Sequence, residues 1–130
     1  VGAGHLGTAL ATYSGFKHYG LEIVGVLDND PNRIGSMIGG HEVTSVFRLA
    51  SMIQKYKVKL VILCVPKDVA QEITDIAVKA GVKAIWNFTP QELSVPDGVK
   101  VRNEQIIGGF MALSHFLKMQ SLSRTEEGAA

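Results

Sequence analysis

The sequence holds a single cysteine, Cys64, in 130 residues. One thiol closes no internal disulfide and builds no thiolate metal cage, so neither a stapled secreted fold nor structural zinc is expected. Excess charge is missing too. The 13 basic residues nearly cancel the 12 acidic ones, and a net +1 advertises no nucleic-acid, membrane or polyanion surface in this stretch. No apolar run approaches the roughly 20 residues that cross a bilayer, and no basic segment with a signal-like apolar stretch opens the chain. A cytoplasmic domain is the expectation. His5, His18, His41 and His115 have no H-x-x-x-H or Cys/His spacing, and neither a G-x-S-x-G elbow nor a P-loop ending in Gly-Lys-Ser/Thr is found. No metal and no catalytic set is expected.

What is present is a core and an alternation. Hydrophobic residues are 46% of a chain long enough for one compact domain, with 14 glycines and 4 prolines, which excludes disordered and collagen-like chains. A glycine-rich turn at residues 2–7 leads into a helix with Leu6, Ala9, Leu10 and Tyr13 on one face, ending near residues 14–19. Leu21 to Leu27 reads as a buried strand stopped by Asp28-Asn29-Asp30-Pro31. His41 to Thr44 reads as an edge strand, and a helix capped by Ser45 carries Leu49, Met52, Ile53 and Tyr56. Leu60 to Val65 is the continuous apolar run of a parallel strand covered on both faces. A helix with Val69, Ile73, Ile76, Ala77 and Ala80 follows, then strands at Val82 to Phe88 and Val99 to Arg102. The sequence thus predicts a Rossmann-like, doubly wound parallel α/β fold over residues 1–102. Because Val1 opens directly onto the glycine turn, most of the first strand is expected to be missing from this sequence.

The last helix, expected over residues 103–120, is apolar around too much of its circumference to rest on one sheet with its back to water. A second apolar surface has to cover it. Residues 121–130 carry no core pattern and are expected to fray.

Gly2-x-Gly4-x-x-Gly7 is weak as an isolated pattern, but its setting gives each glycine a task. Gly2 makes the tight turn, Gly4 lets a pyrophosphate approach the backbone, and Gly7 allows close packing of a helix whose first N–H groups face the phosphates. Asp28 follows Gly7 by 21 residues at the next strand end, where a carboxylate meets the adenosine ribose hydroxyls and repels the extra phosphate of NADP. NAD(H) is the expected cofactor. The bland alternative is a βα turn shaped by glycines and an Asp28 that starts an exposed loop. Arg33 counts either as a cation that attracts a phosphate or as a screen for the local acidic pair.

Parallel strands bring Cys64-Val65-Pro66 and Asn87-Phe88-Thr89 to the same sheet edge, beside the nicotinamide-ribose half. Asn87 is either an orienting amide or a strand-end turn residue, and Phe88 is either a wall of the site or core. Cys64 reads as a buried strand residue, since no neighbouring charge lowers its pKa. His5 contributes backbone rather than acid/base chemistry.

In its ordered motifs the chain resembles the Rex redox-sensing transcriptional repressors over essentially its whole length. The resemblance is carried by Val1-Gly-Ala-Gly-His-Leu-Gly-Thr-Ala-Leu10, Tyr13-Ser-Gly-Phe16, Leu27-Asp-Asn-Asp-Pro31 with Ile34-Gly35, Cys64-Val-Pro66, Asn87-Phe-Thr-Pro90, Val99-Lys-Val-Arg-Asn103 and Leu113-Ser-His-Phe-Leu117. It implies a non-catalytic NADH/NAD+ sensor, a cytoplasmic homodimer that NADH releases from operator DNA. DNA would be held by an N-terminal winged-helix domain absent from this sequence. It also implies that the terminal helix exchanges between subunits. Tyr13 would connect pocket and partner, Gln105 stands where an acidic partner for it is expected, and Phe110 or Phe116 would reach the other subunit's cleft. The family's nucleotide-binding segment falls on Gly2, Ala3, Gly4, His5, Leu6 and Gly7, with Asp28 in the adenosine-ribose role and Asn29 beside it. His5 replaces an expected asparagine, which a backbone contact tolerates but a side-chain amide contact would not. A fragment of an NAD-dependent oxidoreductase and a CoA-binding or purely structural Rossmann-like module are the alternatives.

Overall fold

The computed structural model describes residues 1–104 and 113–122. Helix α1 covers His5–Thr12, followed by a 3-10 turn over Ser14–Tyr19. Strand β1 is Val26–Asp28, β2 is Met37–Ile38 and β3 is His41–Ser45. Helix α2 covers Leu49–Tyr56, β4 Leu60–Leu63 and α3 Lys67–Ala80. Strands β5 and β6 are Ala84–Asn87 and Lys100–Asn103, and a final helix, α4, occupies 113–122.

The strands form two three-stranded ladders, β1-β3-β2 and β4-β5-β6. All pairs are parallel except β2 with β3, a short antiparallel addition at the outer edge. Val1 and Gly2 join the ladders. The Val1 nitrogen donates to Ile62 O at 2.6 Å, Cys64 N donates to Val1 O at 2.8 Å, and Gly2 N donates to Leu27 O at 2.8 Å. This is the exchange expected of a parallel strand lying between β1 and β4. The spatial order is therefore β2-β3-β1, then Val1–Gly2, then β4-β5-β6, the doubly wound arrangement with its switch point at the glycine turn.

The principal core lies where α2 and α3 cover one face of β4 and β5. Leu49, Ile53, Ile73 and Ala77 meet Val61, Leu63 and Ile85, and Leu63 is fully buried. The alternation along β4 and β5, one residue buried and the next half-buried, records the unequal cover of the two faces. A smaller cluster of Ala3, Val26 and Val43 anchors the glycine turn to β1 and β3.

Several element boundaries differ from the sequence expectation. The first helix is split after Thr12, because Tyr13 turns extended (ψ 117°) and the chain tightens into 3-10 geometry. Ala9 and Tyr13, expected on a buried face, are exposed, and Gly7 is the buried residue of α1. Residues 21–25 form no ladder. They line a cavity of about 420 Å3 whose opposite wall is formed by residues 58–62, with Leu10, Phe16, Met52 and Tyr56 also lining it. Extended chain becomes strand only where a neighbour accepts its N–H and C=O groups. Ser45 does cap, accepting Phe47 N at 3.2 Å, but what it caps is a 3-10 turn over Val46–Arg48 ahead of α2. Asn103 ends β6 instead of starting a helix, and residues 121–122 continue α4 instead of fraying. Gln105, Ile106, Ile107, Phe110, Met111 and Ala112 lie outside the described residues.

Candidate functional site

The carboxyl ends of β1, β4, β5 and β6 point the same way, and the 2–7 turn crosses this edge between β1 and β4. The three glycines have different reasons to be glycine. Gly2 has φ +99°, a left-handed value that penalises any side chain, and a Cβ there would strike Cys64 O. Gly7 sits so close to the turn that a Cβ would strike Gly2 O. Gly4 is unlike both. Its φ is −70°, open to any residue, and the nearest heavy atom to a Cβ would be Arg33 Nη1 at 4.0 Å. The protein's own packing does not require glycine at position 4, and the backbone there is open to approach from outside. Helix α1 begins at His5 with no side-chain cap, leaving its first-turn N–H groups facing this opening.

Asp28 lies beside Gly4, buried at 6% exposure. Its Oδ2 accepts Ala3 N at 2.8 Å and Arg33 Nη1 at 3.2 Å, and its Oδ1 accepts Asn29 N at 2.7 Å and Asp30 N at 2.9 Å. Burial pushes its pKa up, but the N–H groups of Ala3 and Asp30, the Arg33 guanidinium and Asn29 N–H together outweigh burial. The carboxyl is held below its ordinary value near 3.8. The Ala3–Asp28 bond ties the turn to the strand end. It was not foreseen from spacing alone, and its signal is only that a residue between two turn glycines keeps a free N–H.

On the other half of the edge, Asn87 is fully buried at the end of β5. Its Nδ2 donates to Gln91 O at 2.8 Å and to Asn103 Oδ1 at 3.0 Å, while its Oδ1 accepts Thr89 N at 3.0 Å and Thr89 Oγ1 at 2.7 Å. Thr89 Oγ1 in turn accepts Gln91 N at 3.2 Å. Both amide protons and both oxygen lone pairs of Asn87 are thus committed. The side chains of Asn87 and Thr89 shape the 88–91 loop and staple it to β6, leaving Phe88 and loop backbone as the groups offered at the edge. Sequence reasoning missed Gln91 and Asn103, whose signal was no more than two amides near neighbouring strand ends.

Phe88 belongs to an aromatic row. Its ring lies 4.9 Å from Trp86, Trp86 lies 6.3 Å from Phe16 edge-on, and Phe16 lies 5.0 Å from Tyr13 edge-on. The row runs from the 88–91 loop to the exposed Tyr13. Cys64, expected as a buried strand residue, instead follows the end of β4 and is half-buried beneath the turn, where its partial burial raises the thiol pKa. Val65 and Pro66 follow it at the edge, Pro66 opening α3. His5 and Asn29 are exposed and Leu6 is half-buried. In α4 the side chains are exposed, Phe116 by 56% and Leu117 by 63%. Among the described residues no group of three His, Cys, Asp or Glu is placed to hold a metal, and no helix is long and apolar enough to cross a membrane.

The site's geometry can be set beside known proteins. Residues 1–91 match the family described as CoA binding domain. The redox-sensing transcriptional repressor Rex of Caldicellulosiruptor saccharolyticus is 40% identical over 126 residues, covering 97% of this chain and 58% of that protein. Rex of Desulforamulus reducens is 48% identical over 103 residues, 79% of this chain and 49% of that protein. A crystal structure of RSP in complex with β-NAD+ and operator DNA is 38% identical, with a TM-score of 0.85 over 98% of this chain and 58% of that one. RSP in complex with β-NADH gives 39% identity, a TM-score of 0.83 and coverage of 95% and 60%. The chain therefore spans about half to three fifths of the length of these relatives.

Proposed function

Because the chain belongs to the CoA-binding domain family and is homologous to the Rex redox-sensing repressors, we propose that it is the NADH/NAD+ sensor and dimerisation part of a cytoplasmic DNA-binding repressor. The observation that carries this reading is the juxtaposition of Gly4 and Asp28. An open glycine beside an ionised, buried carboxylate fits the phosphate and ribose of a dinucleotide, and residues 2–7 with Asn29 complete that half. The backbone of Cys64, Val65 and Pro66 and the 87–89 loop border the nicotinamide-ribose half. NADH and NAD+ differ at the nicotinamide by one hydride and one positive charge, so discrimination falls to this half of the edge.

In this reading the work of the chain is differential binding rather than a chemical step. A ligand shifts a two-state dimer only by its difference in affinity for the two arrangements, and about 5.5 kcal/mol is needed to move 1:99 to 99:1. In our reading NADH favours the arrangement that leaves operator DNA. The exposed residues of α4, with Leu113 at 66% and Leu122 at 54%, and the exposed Tyr13 call for cover by a second copy. Exchange of α4 between subunits supplies it, bringing Phe116 to the partner's cleft. Gln105 and Phe110 belong to the same connection. In our reading the operator DNA is held by a winged-helix domain, as the likeness to the repressor solved with operator DNA suggests.

The family description favours one second reading, CoA as ligand, since a glycine turn also accepts the ADP part of CoA. Competition among NADH, NAD+, NADPH and CoA on the full-length protein, with operator binding followed in parallel, separates the readings. NADH is expected to bind most tightly and to release DNA without being consumed. Unchanged DNA affinity across saturating NADH would refute the sensor, and turnover with a substrate would make it an oxidoreductase.

A further inference from the structure

Asp28 has four protein donors, and a carboxylate has about four acceptor positions. Three of the donors are backbone N–H groups fixed by the glycine turn and the strand end. The fourth is the guanidinium of Arg33, whose side chain is 47% exposed and whose Nε stands 3.7 Å from Asp30 Oδ2. The same Nη1 that bonds Asp28 is also the nearest atom to the open side of Gly4. The guanidinium therefore stands over the opening between Gly4 and Asp28.

We propose that Arg33 holds the position on Asp28 Oδ2 that a ribose hydroxyl takes, and that its charge, displaced but tethered beside the 2′ carbon, sets how strongly a 2′-phosphate is rejected. The inference rests on the dinucleotide reading of the site and concerns its adenosine end. Binding becomes an exchange in which a ribose O–H replaces an Arg33 N–H on the same oxygen, with the three backbone bonds undisturbed. Its gain is smaller than that of a new hydrogen bond, because one charge-assisted bond is given up for another. The displaced guanidinium has a second use. A 2′-phosphate is repelled by Asp28, and a cation five residues away, already within contact distance of both Asp28 and Asp30, offsets part of that repulsion.

The two effects have opposite signs on two ligands, which makes them separable from a structural role. Arg33→Ala is expected to bind NADH as well as the parent or a few times better, and to bind NADPH about tenfold worse, so that discrimination widens. Arg33→Lys restores NADPH binding in part, since the charge returns without the planar fork. Competition by 5′-AMP and 2′,5′-ADP localises the effect, the first following NADH and the second following NADPH. Affinities are read on the full-length protein by quenching of its tryptophan emission and by calorimetry, with a thermal melt to verify folding. If Arg33→Ala weakens NADH and NADPH by the same factor, Arg33 is a general clamp and the proposal fails. If the parent protein binds CoA and neither dinucleotide, the dinucleotide reading itself fails, whatever Arg33 does.

Discussion

Replacing Asp28 tests the nucleotide site and the local fold together, and the structure says how the two effects divide. In Asp28→Asn one carboxylate oxygen becomes an NH2 group. Facing Ala3 it opposes donor to donor; flipped, it meets the Asn29 and Asp30 N–H groups instead. Asn29 and Asp30 reach solvent and recover water, whereas Ala3, 5% exposed, does not. One buried N–H without a partner costs about 1–3 kcal/mol, which is the expected loss in a urea titration at pH 7. Loss of the charge-assisted bond to ribose costs at most ~1.5–3 kcal/mol in binding and less to the extent that the ribose O–H only replaces Arg33, so NADH should weaken by about tenfold. NADPH loses less, because the repulsion of its phosphate disappears in the same step. The pH dependence follows from the lowered pKa of Asp28. A carboxyl held below its ordinary value contributes stability that is fully present above that value, near 3.8, and fades as pH falls through the lower folded value. The stability gap between parent and Asp28→Asn should thus be constant from pH 7 to about 4 and close below it. A parent that binds NADH and NADPH equally, or a gap that closes between pH 7 and 5, would refute this account.

Other substitutions read the remaining parts. Gly4→Ala should leave the melting curve nearly unchanged, since its φ of −70° and the 4.0 Å clearance admit a methyl, yet weaken NADH by about tenfold or more through blocked approach. Gly7→Ala should do the reverse first, costing on the order of 1–3 kcal/mol or preventing folding, because its Cβ would strike Gly2 O. Asn87→Ala removes four hydrogen bonds from a fully buried site and should cost about 2–4 kcal/mol by chemical denaturation, with hydrogen exchange rising in the 88–91 loop. Deleting residues 105–130 should convert a dimer into a monomer by light scattering and weaken the NADH response together. A stable dimer with unchanged NADH affinity would remove α4 from both roles.

How much of this was legible in advance follows the range of the physics. The glycine spacing, the Asp28 position and the order of strands and helices depend on residues close in sequence, through turn conformation and side-chain periodicity, and these were readable from the chain. Strand lengths were not. Residues 21–25 look like the start of β1 but have no ladder partner among the described residues, while Met37–Ile38 becomes a strand because β3 folds back beside it. The exposure of Ala9 and Tyr13 escaped notice for the same reason, since periodicity marks an apolar face without saying what covers it.

By itself the sequence determined that a tight glycine turn precedes a helix and that a carboxylate ends the next strand, because backbone φ and short-range spacing leave few other arrangements. Only the tertiary structure decided which glycine is open and which two are packed, since that depends on Cys64 and Gly2 carbonyls brought in by strand pairing. It also decided that Asn87 is spent on Gln91, Thr89 and Asn103, and that Arg33 reaches Asp28. Hydrogen-bond partners are chosen by distances of about 3 Å in space, and the positions of two strand ends relative to each other are set by the whole sheet.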